Sequence, residues 1–225
     1  MFDKNKICYN DFGDNMRLRN VKGASEIINN SKYVISDFKE ACGKYKEIFG
    51  NNNPIHIEIG MGKGDFIIES AKRLPNINFI GIEKFDSVLV RAIQKLDGVE
   101  MNNLLLIRMD AQEIPEAFSK EVAVIYLNFS DPWPKARHEH RRLTSKKFLD
   151  RYNSVFKNTK KIIMKTDNLA LFEYSISSFS DYGYEIEEVC WDLYKEDISE
   201  NIPTEYETKF KTKGAIYRIA VQKTD

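Results

Sequence analysis

Apolar side chains recur along this chain in two rhythms, and the rhythm changes repeatedly after residue 54. Ahead of that point, Val34, Phe38, Cys42, Tyr45 and Phe49 fall at helical spacing, with Ser31 as a cap, and predict a helix that Gly50 to Pro54 ends. Short apolar runs then alternate with amphipathic stretches. Ile55–Ile59, Ile77–Glu83, Leu104–Met109, Val122–Phe129 and Lys161–Lys165 read as strands. Asp65–Leu74, Asp86–Leu96, Ala111–Phe118, Thr144–Lys157 and Asn168–Tyr182 read as helices. Tyr184–Trp191 and Ala215–Gln222 add two late strands with no clear helix between them, which predicts an antiparallel pair. Residues 1–30 are polar and irregular and read as an N-terminal arm, leaving 31–225 as a single domain.

Strand–helix alternation at this spacing predicts an α/β fold, a mainly parallel sheet of seven strands with helices on both faces and an antiparallel C-terminal strand. The nearly continuous apolar run from Val122 fits a strand buried on both faces. Sheets of this kind bind ligands beyond the carboxyl ends of their strands, so the residues just after each strand are the candidates.

Composition narrows the class without naming a function. With 225 residues, 42% hydrophobic and 30% charged, the chain can bury a full core and is neither collagen-like nor wholly disordered. No apolar run approaches the ~20 residues of a membrane helix, and the first residues lack a signal-peptide pattern, which predicts a cytoplasmic protein. Cys8, Cys42 and Cys190 are scattered and form no CxxC, and His138 and His140 have no third ligand nearby. Neither disulfides nor a metal site is expected. Acidic and basic residues balance at 34 each, but unevenly. Lys135, Arg137, Arg141, Arg142, Lys146 and Lys147 stand against Glu139 alone, whereas Asp181–Glu207 holds ten acids against Lys195. The neutral total therefore conceals a basic segment suited to a polyanion.

The turn after the first strand of the alternation reads Glu58-Ile59-Gly60-Met61-Gly62-Lys63-Gly64-Asp65. Its glycines let a ligand approach the backbone closely. The spacing is G-x-G-x-G rather than the dinucleotide G-x-G-x-x-G, and Asp65 takes the third-glycine position. Glu58 and Asp65 would repel a pyrophosphate but tolerate a cationic or zwitterionic ligand. Glu83, about 20 residues on, can accept from both hydroxyls of a ribose. Asp110 can accept from an adenine amine; taken alone it reads first as a cap for the helix Ala111–Phe118, and both can hold.

This turn, with acids after the next two strands, resembles the Rossmann-like class I S-adenosylmethionine-dependent methyltransferases. The run Ser130-Asp131-Pro132-Trp133-Pro134-Lys135-Ala136-Arg137-His138 is more specific. It resembles the signature of the bacterial tRNA (guanine-N7)-methyltransferases. Met16-Arg17-Leu18-Arg19-Asn20, Lys165-Thr166-Asp167 and Thr204-Glu205-Tyr206-Glu207 with Lys209-Phe210 are similar to that family as well. The resemblance spans roughly 16–222. It departs at His140, where the family usually has Lys, and at residues 1–15, an extension ahead of Met16, itself a plausible start.

The resemblance implies methyl transfer from S-adenosyl-L-methionine to N7 of a guanosine in the tRNA variable loop. Glu58, Gly60, Gly62, Glu83, Asp110 and Asp131 would hold the cosubstrate. Asp131 is the catalytic candidate, acting by charge and position. Lys135, Arg137, His138, Glu139, His140, Arg141 and Arg142 would face tRNA at the cleft mouth. Asp167, Thr204, Glu205, Tyr206 and Glu207 would surround the guanine, and Trp133 or Tyr206 could stack on a displaced base. The chain would work as a monomer or homodimer. Two other readings remain open at this point. One is a methyltransferase of the same class acting on another RNA, a small molecule or a protein. The other is a non-catalytic RNA-binding protein with this fold.

Overall fold

The computed structural model describes residues 21–196 and 201–224; the expectations placed on residues 1–20, Cys8 and Met16 among them, lie outside the described residues. A single eight-stranded sheet organises the molecule. Its strands are β1 (Val34–Ile35), β2 (Ile55–Ile59), β3 (Asn78–Glu83), β4 (Leu104–Arg108), β5 (Val122–Asn128), β6 (Phe156–Thr166), β7 (Glu185–Cys190) and β8 (Tyr217–Lys223). They lie in the order β1-β4-β3-β2-β5-β6-β8-β7. All neighbours from β1 to β6 are parallel, and β8 is antiparallel to both β6 and β7.

The helices are α1 (Ala24–Asn29), α2 (Phe38–Ala41), α3 (Tyr45–Phe49), α4 (Asp65–Arg73), α5 (Asp86–Lys95), α6 (Ile114–Ala117), α7 (Lys146–Tyr152), α8 (Leu169–Asp181) and α9 (Glu205–Phe210). Apolar residues fill both faces of the central strands. Ile57, Ile80, Leu106, Ile125 and Leu127 are fully enclosed, and two clusters cover the two sides of the sheet. At about 25 cal/mol per Å2 of apolar surface, this burial is the main force that holds the layers together.

Four local readings change. The stretch 31–49 is not one helix. The β-branched Val34 and Ile35 pair with Leu106 and Ile107 as β1, Asp37 accepts the amides of Lys39 and Glu40 to start α2, and Gly43 at φ +79° breaks the chain before α3. The extra strand β1 makes the sheet eight-stranded, not seven. Residues 24–29, expected to be irregular, form α1 and pack against α5, burying Ala24 and Ile28. The predicted helix 144–157 stops at Tyr152, because Phe156 pairs with Val122 and lengthens β6. Finally, α9 stands between the last two strands. Thr204 accepts the amide of Glu207 while the Glu207 carboxylate accepts that of Thr204, a capping box that the T-x-x-E spacing already encoded.

The chain leaves β2 toward β3 and β4 on one side and reaches β5 and β6 on the other. The switch in strand order therefore lies between β2 and β5, and the crevice beyond their carboxyl ends is where such sheets bind ligands.

Candidate active site

The glycine turn follows β2 directly. Gly60, Gly62 and Gly64 all have positive φ, between 59° and 78°, which side-chain-bearing residues rarely adopt. A Cβ on Gly60 or Gly62 would meet nothing within 4 Å, so their bare backbone borders open space. Gly81 of β3 makes room behind the turn, since a Cβ there would lie 2.3 Å from the Met61 sulfur.

Glu83 ends β3 and is nearly buried. One carboxylate oxygen accepts the Gly62 amide at 3.1 Å, and the other accepts the amides of Lys84 at 2.8 Å and Phe85 at 2.9 Å. Burial raises its pKa, and the three amides oppose that shift. The side chain is thus held in one orientation beside the turn. Asp110, after β4, caps the next helical turn by accepting the Gln112 amide, and its other oxygen accepts from Lys84 at 2.6 Å. Burial pushes its carboxyl up, but the Lys84 ammonium and the Gln112 amide outweigh that and leave it lowered. The capping role read from the sequence is present on one oxygen, and Lys84 occupies the other.

Glu58 ends β2 and is only 2% exposed. Asn128, at the end of β5, donates to its Oε1 at 2.8 Å across the switch point. Among the described residues, buried Glu58 Oε2 and Asn128 Oδ1 have no hydrogen-bond partner. Burial pushes the Glu58 pKa up to about 8, with Asn128 and Lys165 pulling it down and Glu83 and Asp65 pushing it further up. Two unpartnered buried acceptors beside a glycine turn fit a ligand that brings hydrogen-bond donors and positive charge. Asn128 carried no signal in the sequence except its place at a strand end.

Asp131 follows β5 and remains exposed, with its pKa raised by partial desolvation; among the described residues no donor is committed to it. The backbone around it is bent, with Phe129 at φ 51° and Trp133 at φ 41°. Arg142 reaches back to hold this bend. It donates to the carbonyls of Pro132 at 3.1 Å and Trp133 at 3.2 Å, and its guanidinium lies 4.1 Å from the Tyr174 ring centre. Tyr174 in turn donates to Glu139. Arg142 and Glu139 are thus engaged within the protein. Lys135, Arg137, His140 and Arg141 point into solvent, with Arg141 over the Trp133 ring at 4.8 Å, and His138 meets the same ring edge-on.

The remaining candidates gather around α9. Tyr206 donates to Asp167 at 2.8 Å and packs against Phe129 and Phe210. Glu205 pairs with Lys63 of the glycine turn at 2.9 Å and with Lys209. Thr204 and Glu207 form the capping box, and Glu207 is fully buried against Lys165 at 2.6 Å, with Tyr194 and Asn201 donating to its other oxygen. Of this group Tyr206 and Asp167 are exposed, whereas Glu207 is committed inside the protein.

A glycine turn after β2, a buried acid at the end of β3 and, among the described residues, an uncommitted carboxylate beyond β5 sit on a Rossmann-like sheet, and the comparisons give the class as methyltransferase. A family model described as a putative methyltransferase matches residues 52–219. A tRNA (guanine-N(7)-)-methyltransferase of Streptococcus suis is 49% identical over 92% of this chain and 99% of its own length. Its counterpart from Lachnoclostridium phytofermentans is 50% identical over 88% of this chain and 94% of its own. The chain belongs to this tRNA (guanine-N(7)-)-methyltransferase family. Solved structures share the fold. An antibiotic-related methyltransferase aligns with a TM-score of 0.63 at 17% identity, covering 85% of this chain and 96% of that one. The 16S rRNA methyltransferase KamB aligns with 0.63 at 11% identity, covering 81% and 93%.

Proposed function

We propose that this protein transfers the methyl group of S-adenosyl-L-methionine to N7 of a guanosine in the variable loop of tRNA. The observation that carries the reading is the placement of Asp131. It is, among the described residues, an uncommitted carboxylate beyond β5 at the switch in strand order, in a loop from which Lys135, Arg137 and Arg141 extend into solvent. The relatives' shared name and their identity of about 50% over most of the chain support the substrate.

Glu83 would hold the ribose hydroxyls, Asp110 the adenine amine in exchange for Lys84, and Glu58 with Asn128 the charged amino-acid end. The bound cosubstrate supplies a methyl group activated on a sulfonium. Guanine N7 has a free lone pair and carries no proton, so bond formation requires no general base. The new N–C bond forms as the S–C bond breaks, and positive charge passes from sulfur to the purine. Asp131 stabilises charge where it develops and orients the base for in-line attack. Lys135, Arg137, His140 and Arg141 meet RNA phosphates, and Tyr206 offers a ring to a base drawn out of its stack.

A tRNA target is met in the cytoplasm, and no helix among the described residues is long and apolar enough to cross a membrane. The deciding experiment incubates the protein with unmodified tRNA and labelled S-adenosylmethionine, then digests and weighs the nucleosides. 7-Methylguanosine from a variable-loop fragment is the expected product. A methyl group on another atom, or on another substrate only, overturns the reading.

A further inference from the structure

Lys165 lies at the end of β6 with its side chain 3% exposed, and its partner Glu207 is 0% exposed. The ammonium has three donors, and all three are used. It donates to Glu207 at 2.6 Å, to the Ile202 carbonyl at 2.9 Å and to the Asn201 side chain at 3.1 Å. It also stands over the Phe66 ring of α4 at 5.2 Å and faces the Glu58 carboxylate electrostatically. One buried cation therefore stands over the helix that follows the glycine turn and holds α9 together with its approach.

Buried ion pairs are poor sources of stability, because desolvation consumes most of the attraction and an apolar pair of similar volume does as well. What such a pair supplies is a defined orientation. Here there is something that needs orienting. With six residues, α9 is far too short to hold itself as a helix, so tertiary anchors must place it. Its outward residues are the ones at the site: Tyr206 against Asp167 and Phe129, and Glu205 against Lys63. The Lys63 tie of α9 is partly exposed, whereas the Lys165–Glu207 pair is dry.

We propose that Lys165 is a positioning residue for methyl transfer, its three-way ammonium contact fixing α9, and with it Tyr206, over the reacting groups. Lys165 touches neither cosubstrate nor guanine in this role and acts through α9. The proposal rests on the tRNA methyl-transfer reading given above.

The test uses the full chain with Lys165→Met, compared with wild type in three measurements. Amide hydrogen exchange at residues 205–210 should quicken at least ~10-fold while β5 keeps its protection. The single-turnover rate on saturating tRNA should fall about 30-fold or more, in the range that a misplacement of about 1 Å can cost. The dissociation constant for S-adenosylmethionine, by calorimetry, should stay within about threefold of wild type, because the cosubstrate contacts are left in place. If Lys165→Met does not fold, Asn201→Ala removes one acceptor of the ammonium and one donor to Glu207, and should move exchange and turnover in the same directions by smaller factors. In whichever variant folds, turnover within twofold of wild type overturns the proposal. So does slower turnover with unchanged exchange in α9, or with a loss of cosubstrate affinity large enough to explain it. Failure of the underlying reading would look different: wild type itself would leave tRNA unmethylated.

Discussion

The carboxylate of Glu83 accepts the backbone amide of Gly62, tying the end of β3 to the turn after β2 at 3.1 Å. The acid proposed to hold the ribose therefore also shapes the glycine turn. Its other oxygen is held by the amides of Lys84 and Phe85, so the side chain is oriented before any ligand arrives. Glu83→Ala should weaken S-adenosylmethionine binding at least ~10-fold, since each charge-assisted hydrogen bond contributes about 1.5–3 kcal/mol. Glu83→Gln, which keeps the shape, should lose less. Calorimetry on both folded variants checks this, and unchanged affinity in Glu83→Ala removes Glu83 from the site.

The two adjacent arginines should separate cleanly. Arg142 holds the carbonyls of Pro132 and Trp133, so Arg142→Ala should lower the melting temperature and slow methyl transfer through a disordered loop. Arg141 lies outside, over Trp133. Arg141→Ala should leave melting unchanged, weaken tRNA binding and reduce the salt slope by about 1, as expected for one lost phosphate contact. Filter binding at several salt concentrations, beside thermal melts, distinguishes the two. Equal salt slopes for Arg141→Ala and wild type would place Arg141 away from the RNA.

Glu58 gives the ligand-free protein a pH-dependent stability. Its pKa rises from 4.5 to about 8, driven by burial. The folded state therefore holds the proton more tightly than the unfolded chain. The resulting stabilisation is complete below about pH 4.5 and is lost as pH rises toward 8. Lys165, the cation facing it, opposes this trend, and Glu83 and Asp65 reinforce it. Glu58→Gln removes the titration. Between pH 5 and 8 the variant's melting temperature should gain at least ~4 °C relative to wild type, given about 2–4 °C per kcal/mol for a chain of this size. Parallel melting curves across that range would show that Glu58 is ionised throughout.

Asp131→Asn keeps size and one acceptor but removes the charge. The single-turnover rate should fall by about 100-fold, the scale on which one preorganised electrostatic group acts. Because N7 gives up no proton, the wild-type rate should be nearly flat from about pH 6.5 to 8.5. Rapid-quench assays with enzyme in excess measure both. A rate that climbs tenfold per pH unit in wild type and not in the variant would make Asp131 a base and point to a substrate atom that carries a proton.

The parallel core was legible because its signals are local. Uninterrupted apolar strands, glycines after β2 and acids after β3 and β4 each declare themselves within a few residues. What escaped depends on partners distant in sequence. Val34 and Ile35 fit a helical spacing, and only the free edge of β4 draws them into a strand. Phe156 looks helical until Val122 is beside it. At the site, Asp131 and Glu83 stood out by position; Asn128 did not, and Lys165 did so only as part of the Lys165-Thr166-Asp167 motif with no role attached, since the two act by reaching Glu58 and Glu207 across the fold. Glu207 shows the converse. Its motif is conspicuous, yet the structure spends its carboxylate on holding α9 rather than presenting it to the cleft.

The two margins of the sheet carry a consequence for the protein at working concentration. A strand at an open edge invites pairing with any extended chain that drifts past. On one side β1 offers two residues, too few for a foreign strand to zip onto. On the other, Glu187 and Glu188 of β7 pair with Lys161 and Arg218, and Glu185 stands exposed, so that a second copy approaching edge-on would meet a charged margin. Brevity guards one margin and charge the other. Exchanging Glu185 and Glu187 for threonine should leave the crevice beyond β2 and β5 intact and raise self-association through the β-edge, read as a larger scattering mass at the same concentration.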